Sequence, residues 1–487
     1  MSPASPIPAM HPPTAPSANQ SAPVFHLAYV TAISAIAALG GLLFGYDWVV
    51  IGGAKPFFER YFSITSPALS GWANSCALVG CLAGVLTAGA LGARLGRKRL
   101  LAAAALLFAA TSIGNALAPT FALFIAWRIL GGVAIGMASN LSPLYIAEIA
   151  PARWRGRLVA VNQLTIVSGI LLAQFVNWRL ARDLPAGADG AWIAASWFGQ
   201  NGWRWMLGLT AIPATLFALG MLFVPESPRW LVAAGRPAAA GHVFQKIGGP
   251  AYARAAVADT TASLASSRAN DKSAWRDLFD PKLRRVLLLG IGLAVFQQWC
   301  GINVIFNYAE DIFRAAGYDI SSVLKNMAWT GSVNLIFTLA ALGSVDRLGR
   351  RPLMLAGAGG LAIIYAALGA GYLAGMQGWP MLLLVLAAIA CYAMSLAPVT
   401  WVVISEIFPN RVRGAATAVA VAALWSACFV LTYTFPILNR LLGAHGTFWL
   451  YSAICLAGFF LVKRHLPETK NRTLEQLEKE LQNNTIQ

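Results

Sequence analysis

The chain has 487 residues, 58% of them hydrophobic and only 11% charged, with a formal net charge of +17. A soluble domain carries about 25% charged residues, so much of this chain's surface must face lipid. The basic residues fall in short blocks between apolar segments and not on one soluble domain, which excludes a nucleic-acid partner. Six cysteines (Cys76, Cys81, Cys300, Cys391, Cys428 and Cys455) lie inside apolar runs without metal or redox spacing. They read as small buried hydrophobes, and no metal or other cofactor is expected.

Residues 1–24 are rich in Pro, Ala and Ser and lack the basic start and apolar core of a secretory signal. A solvated, disordered cytoplasmic tail is expected there. A first half over 25–228 then carries apolar runs at roughly 27–54, 68–92, 99–118, 120–147, 158–182 and 203–224. Each approaches or exceeds the roughly 20 residues a helix needs to cross a bilayer. The stretch 229–283 is polar and basic and reads as a cytoplasmic linker of short helices. The second half, 284–466, has runs at 284–313, 322–345, 352–376, 380–408, 414–440 and 446–466, followed by a C-terminal tail at 467–487. The expected fold class is all-α: twelve transmembrane helices in two halves of six.

Lys and Arg give the orientation. With a cytoplasmic N-terminus, 27 of the 36 fall in cytoplasmic segments, so the positive-inside rule places both termini in the cytoplasm. The halves also repeat one another. RLGRK at Arg94–Lys98 returns as RLGRR at Arg347–Arg351, and EIAPARWRG at Glu148–Gly156 returns as EIFPNRVRG at Glu406–Gly414. PESP at Pro225 returns as PETK at Pro467. A parallel repeat implies a two-fold pseudo-axis along the membrane normal, with a substrate site between the halves near mid-membrane.

Two charges lie deep within spans. Asp47 sits about 8 residues before the outer end of the first, and Arg128 about 8 residues into the fourth, so both are roughly 12 Å deep at 1.5 Å per residue. An ionisable group at that depth is a functional candidate by default. Equal depth and opposite sign point to a pair; protonating Asp47 would release Arg128 and so couple proton binding to rearrangement. A permanent ion pair that only joins two helices is the alternative. Four amides (Gln297, Gln298, Asn303 and Asn307) crowd the seventh span, with Asn334 on the eighth. Buried amides are costly unless partnered, and a sugar's hydroxyls would partner them. Interhelical hydrogen bonding is the competing explanation. Gly301 is expected to weaken the helix among these amides.

FGYD at Phe44–Asp47, RILGG at Arg128–Gly132, PESPRWL at Pro225–Leu231, QQWCGIN at Gln297–Asn303, DRLGRR at Asp346–Arg351 and PETK at Pro467–Lys470 form a specific set. From Leu27 to about Leu477 the chain resembles the sugar porter family of the major facilitator superfamily, and most of all its bacterial proton-coupled monosaccharide symporters of the xylose/proton type. The resemblance implies that Asp47 is the proton-coupling carboxylate, paired with Arg128. It implies that Gln163, Trp401 and Trp425 complete a cavity with Gln297, Gln298, Asn303, Asn307 and Asn334. It also implies a cytoplasmic charge network of Glu148 with Arg97 and Arg155, and Glu406 with Arg350 and Arg413, joined by Glu226, that ties the halves together while the outside is open. Ile170 and Leu424 stand where relatives place amides, Cys428 where they place Asn, and Asn307 where they place Tyr, which leaves the sugar open.

The expected function is import of a monosaccharide, pentose or hexose, by proton symport and alternating access across a cell (inner) membrane. The partners are the sugar, the proton and the bilayer. A uniporter of the same fold and a sugar-sensing receptor are the alternatives. No span carries a His/Asp/Glu cluster or nucleophile motif, so an enzyme is not expected.

Overall fold

The computed structural model describes residues 25–470, apart from 182–183, 186–187, 189, 279–280 and 410–411. The 1–24 tail and residues 471–487 lie outside the described residues. Among those described, the secondary structure is helical throughout, and eleven continuous helical stretches are long and apolar enough to cross a membrane. The last of them, Arg413–His465, has 53 residues. At 1.5 Å per residue it would measure about 80 Å, far more than one bilayer. It breaks at Gly443, where φ is 67° and ψ 173°, and so supplies two antiparallel spans and brings the total to twelve.

The first five spans are Leu27–Tyr61, Pro67–Leu95, Arg97–Leu117, Phe121–Ile149 and Arg155–Leu180. Phe198–Phe223 is the sixth and begins with a turn of π-helix at Phe198–Gly202. The linker follows: a long helical segment, Pro237–Asp277, bent at Gly248 and Gly249. Leu283–Asn307, Ile320–Val345, Arg350–Leu373 and Trp379–Ile404 are the seventh to tenth spans, and 413–442 and 444–465 the last two. Two of these are discontinuous. Gly301 adopts φ +85° between Pro281–Trp299 and Ile302–Asn307, and the tenth span breaks at Ser395, three residues before Pro398. Broken helices free backbone polar groups at membrane depth, which is tolerated only where they are buried in protein or line a water-filled cavity.

The glycines of the repeated RLGR motif are required by geometry. Gly96 and Gly349 join consecutive spans at φ/ψ of 91°/169° and 93°/162°, a region essentially reserved for glycine. A methyl group added at either would strike the carboxylate of Glu226 or Glu468 respectively. Gly96→Ala is therefore expected to cost about 1–3 kcal/mol. Gly89→Ala, about two helix turns earlier where a methyl group meets nothing within 4 Å, is expected to be neutral or slightly stabilising. Apparent melting temperatures of the two purified variants, followed by tryptophan fluorescence, check this; equal melting points would contradict it.

The halves meet tightly at the face opposite the chain ends. Gln174 on the fifth span donates to Thr330 Oγ1 on the eighth at 3.1 Å. Trp72 on the second span packs edge-on against Phe429 on the eleventh, with centroids 6.3 Å apart. Gly52 lies directly against the carbonyls of Phe306 and Asn307.

Candidate functional site

Asp47 rides on the uninterrupted first span. The fourth span is capped by Thr120, whose hydroxyl accepts from the Leu123 amide at 3.4 Å, and this start sets Arg128 two turns deep. Arg128 Nη1 donates to both oxygens of Asp47, at 2.8 and 3.0 Å, and both residues are buried. Arg128 Nε has no hydrogen-bond partner among the described residues. The pair opens on a cavity of about 20 Å³, room for about one water-sized molecule, lined also by Trp48, Asn74 and Asn307. Asn307, expected with the sugar-binding amides, thus stands on the carboxylate's side of the site, and its Oδ1 has no partner among the described residues.

The other amides of the seventh span form a chain. Asn303 Nδ2 donates to Gln298 Oε1, Gln298 Nε2 to Gln297 Oε1 at 2.7 Å, and Gln297 Nε2 to the Tyr392 hydroxyl at 2.5 Å. Asn303 also touches Cys428 Sγ at 3.7 Å, so the eleventh span borders the same site. Gly301 lies inside this chain and its break lets the amides before and after it meet. Asn334 is buried on the eighth span, and Gln163 is half-buried on the fifth without a side-chain hydrogen bond among the described residues. Trp425 is buried between Phe44 and Trp48, with centroids 5.8 and 6.1 Å away, whereas Trp401 is 43% exposed. Tyr392, which ends the amide chain, escaped the sequence reading: a lone tyrosine in an apolar run has no periodic signal.

On the face that carries the chain ends, the repeat becomes a two-fold arrangement. Arg97 Nε and Nη2 grip the two oxygens of Glu148 at 3.1 and 3.0 Å, and Arg350 Nη2 meets Glu406 Oε1 at 3.3 Å. Ser227 Oγ donates to Glu148 at 2.5 Å and Thr469 Oγ1 to Glu406 at 2.6 Å. Glu226 accepts from the backbone amides of Arg97 and Lys98, and Glu468 from those of Arg350 and Arg351. Glu468 was legible only as a member of the PETK repeat. Arg155 and Arg413 stand apart from the carboxylates expected to hold them. Arg413 donates to the Phe408 carbonyl at 3.1 Å. Arg155 is exposed; burial pushes the Tyr252 phenol above its ordinary value, and the charge of Arg155 opposes that shift, so the guanidinium faces the linker. The ion pairs described on this face thus stay within one half, while at the opposite face the halves are in direct contact.

Comparison with known proteins agrees with this geometry. Residues 33–481 match the family described as "Sugar (and other) transporter". The D-xylose-proton symporter of Escherichia coli K12 is 38% identical, over 93% of this chain and 96% of that protein. The arabinose-proton symporter of Bacillus subtilis is 37% identical, over 93% of this chain and 95% of that protein. An inward-open structure of the E. coli xylose transporter superposes with a TM-score of 0.79 at 36% identity, covering 93% of this chain and 99% of that one. A structure of that symporter bound to 6-bromo-6-deoxy-D-glucose gives 0.76 at 37% identity, over 93% and 99%. With its twelve-span fold, its repeated RLGR and PE motifs and this similarity along almost its whole length, the chain belongs to the sugar transporter family of the major facilitator superfamily.

Proposed function

We propose that this protein imports a monosaccharide together with a proton, by alternating access across a cell inner membrane with both termini in the cytoplasm. The observation that carries the reading is the buried Asp47–Arg128 pair. Charges this deep are costly unless paired, and neutralising one releases the other. Asp47 takes up a proton from the outside, Arg128 loses its partner, and the first and fourth spans are freed to shift against the second half. Asn307, a C-terminal-half residue at the Asp47 cavity, supplies a contact by which protonation is sensed across the interface. The sugar engages Gln297, Gln298 and Asn303 by replacing their amide-to-amide hydrogen bonds with bonds to hydroxyls, which both donate and accept. Trp425 offers an aromatic face for the sugar's C–H surface. Gln163 contributes from the first half, so that the bound sugar draws the halves together.

The cytoplasmic charges act as a latch. In the structure Glu148 and Glu406 are held by Arg97 and Arg350 of their own halves. Closure of the cytoplasmic face brings Arg155 and Arg413 to the opposing half, a change of partners between two discrete states.

The test is proton movement. Lightly buffered proteoliposomes holding the purified protein are challenged with xylose, arabinose, glucose, galactose, fucose or inositol while external pH is recorded. A substrate is expected to alkalinise the medium as protons enter with it. Uptake of a labelled sugar with no pH change would refute coupling.

A further inference from the structure

A second cluster of charges, outside the site described above, occupies the outer face. Lys55, near the end of the first span, is only 4% exposed. Its Nζ lies 3.2 Å from Glu59, 3.4 Å from Glu310 and 3.1 Å from Asp311. Glu59 belongs to the first half, while Glu310 and Asp311 follow the broken seventh span of the second. Arg60 approaches Glu310 at 3.9 Å across the same interface, and Arg314 pairs with Glu310 at 3.2 Å within the second half. Ser70 donates to Glu59 at 2.5 Å, and Lys55 stands 6.0 Å over the Tyr308 ring.

We propose that this cluster is an outer charge clamp, which holds the extracellular side shut and must break for sugar to enter from outside. Charge balance supports it. Lys55, Glu59 and Arg60 leave the first half's side at +1; Glu310, Asp311 and Arg314 leave the second half's side at −1. Complementary surfaces of that kind attract and fix register. The internal pairing shows that the contact is made to open. On separation Lys55 keeps Glu59 and Glu310 keeps Arg314, each one helical turn away. Asp311, already 32% exposed, passes into water. No buried charge is stranded, which distinguishes a latch from permanent glue, where losing a partner is severely penalised. The clamp also shares its helices with the coupling site. Lys55 lies about 12 Å beyond Asp47 on one helix, and Glu310 follows Asn307 on the other. It rests on the reading that the halves alternate, and it adds an outer counterpart to the cytoplasmic latch.

The test is charge reversal read by distance. Nitroxide labels are placed at exposed Thr65 and Ala374, on the outer loops of the two halves, in a Cys391→Ala background. Pulsed dipolar spectroscopy then measures their separation in the full chain, reconstituted without sugar. Wild type is expected to show the short, closed distance. Lys55→Glu sets −1 against −1 and Glu310→Lys sets +1 against +1, so each single variant is expected to raise the ratio of long to short distances by about tenfold or more. The double variant restores opposite signs, −1 against +1, and is expected to return to the closed distribution. Asp311→Asn, at the exposed edge, gives a smaller shift in the same direction and serves if a reversal fails to fold. Singles that keep the wild-type distribution, or a double that remains open, would overturn the clamp. If sugar or acid moves the labels while the singles do not, alternation stands and the clamp alone is lost. If nothing moves them, both fall.

Discussion

Asp47→Asn is expected to abolish accumulation of sugar against its gradient while leaving sugar binding and exchange close to wild type. The carboxylate is the hydrogen-bonded acid partner of Arg128 among the described residues, held through both oxygens at 2.8 and 3.0 Å. An Asn mimics the protonated carboxyl: it removes the countercharge that holds Arg128 yet leaves one neutral acceptor in place, so the guanidinium is released without being left wholly unpartnered. Alanine would strand it, at a cost of about 3–5 kcal/mol. What Asn cannot do is carry a proton. A one-to-one symporter can concentrate sugar about tenfold per unit of pH gradient, since one unit is worth about 1.4 kcal/mol. In the variant that ratio falls to one at any gradient. Counterflow of labelled sugar between preloaded vesicles checks the second half of the expectation. A variant that still accumulates sugar would remove Asp47 from the coupling mechanism.

Gln298→Ala is expected to weaken sugar binding about tenfold to a hundredfold. Gln298 is the middle link of the amide chain, accepting from Asn303 and donating to Gln297. On the proposed reading its loss removes the two hydrogen bonds its amide would make to the sugar, each worth about 0.5–1.5 kcal/mol, and it leaves Asn303 without its acceptor. The neighbours are buried, so water does not readily take over the role. Titration calorimetry on the detergent-solubilised protein measures the change. Unaltered affinity would return Gln298 to a packing role, in which the chain from Asn303 to Tyr392 only pins the seventh span to the tenth.

What could be read from the sequence depends on whether the physics is local. Twelve apolar runs were visible because burial in lipid demands long unbroken stretches. Their ends were visible at Gly96 and Gly349 because the repeat marks them. Asp47 and Arg128 could be matched across sequence because depth can be counted from a span's end. Lys55 could not be matched in this way. It lies where its run ends, and a lysine there ordinarily reaches to the interface and needs no partner. Only the fold shows that Glu310 and Asp311 close over it. Of the expected charge network, Arg97–Glu148 and Arg350–Glu406 are paired in the structure, whereas Arg413 meets the Phe408 carbonyl and Arg155 faces the linker. The two pairs formed are intra-half pairs, and sequence carries no information on which of two alternative sets of partners a molecule holds. Tyr392 was missed for a third reason: its role depends on the kink at Ser395 and on a chain of amides that Gly301 brings into line.

The central claim is that a proton gradient drives sugar uphill through this fold. Proteoliposomes made with the full chain are given labelled sugar at low external concentration, with and without an outside-acid pH gradient. Internal concentration is then followed to its plateau. The account predicts a plateau above the external concentration with the gradient, and simple equilibration without it. Equilibration to the same level in both cases would contradict it, making the protein a facilitator and Asp47–Arg128 a structural ion pair.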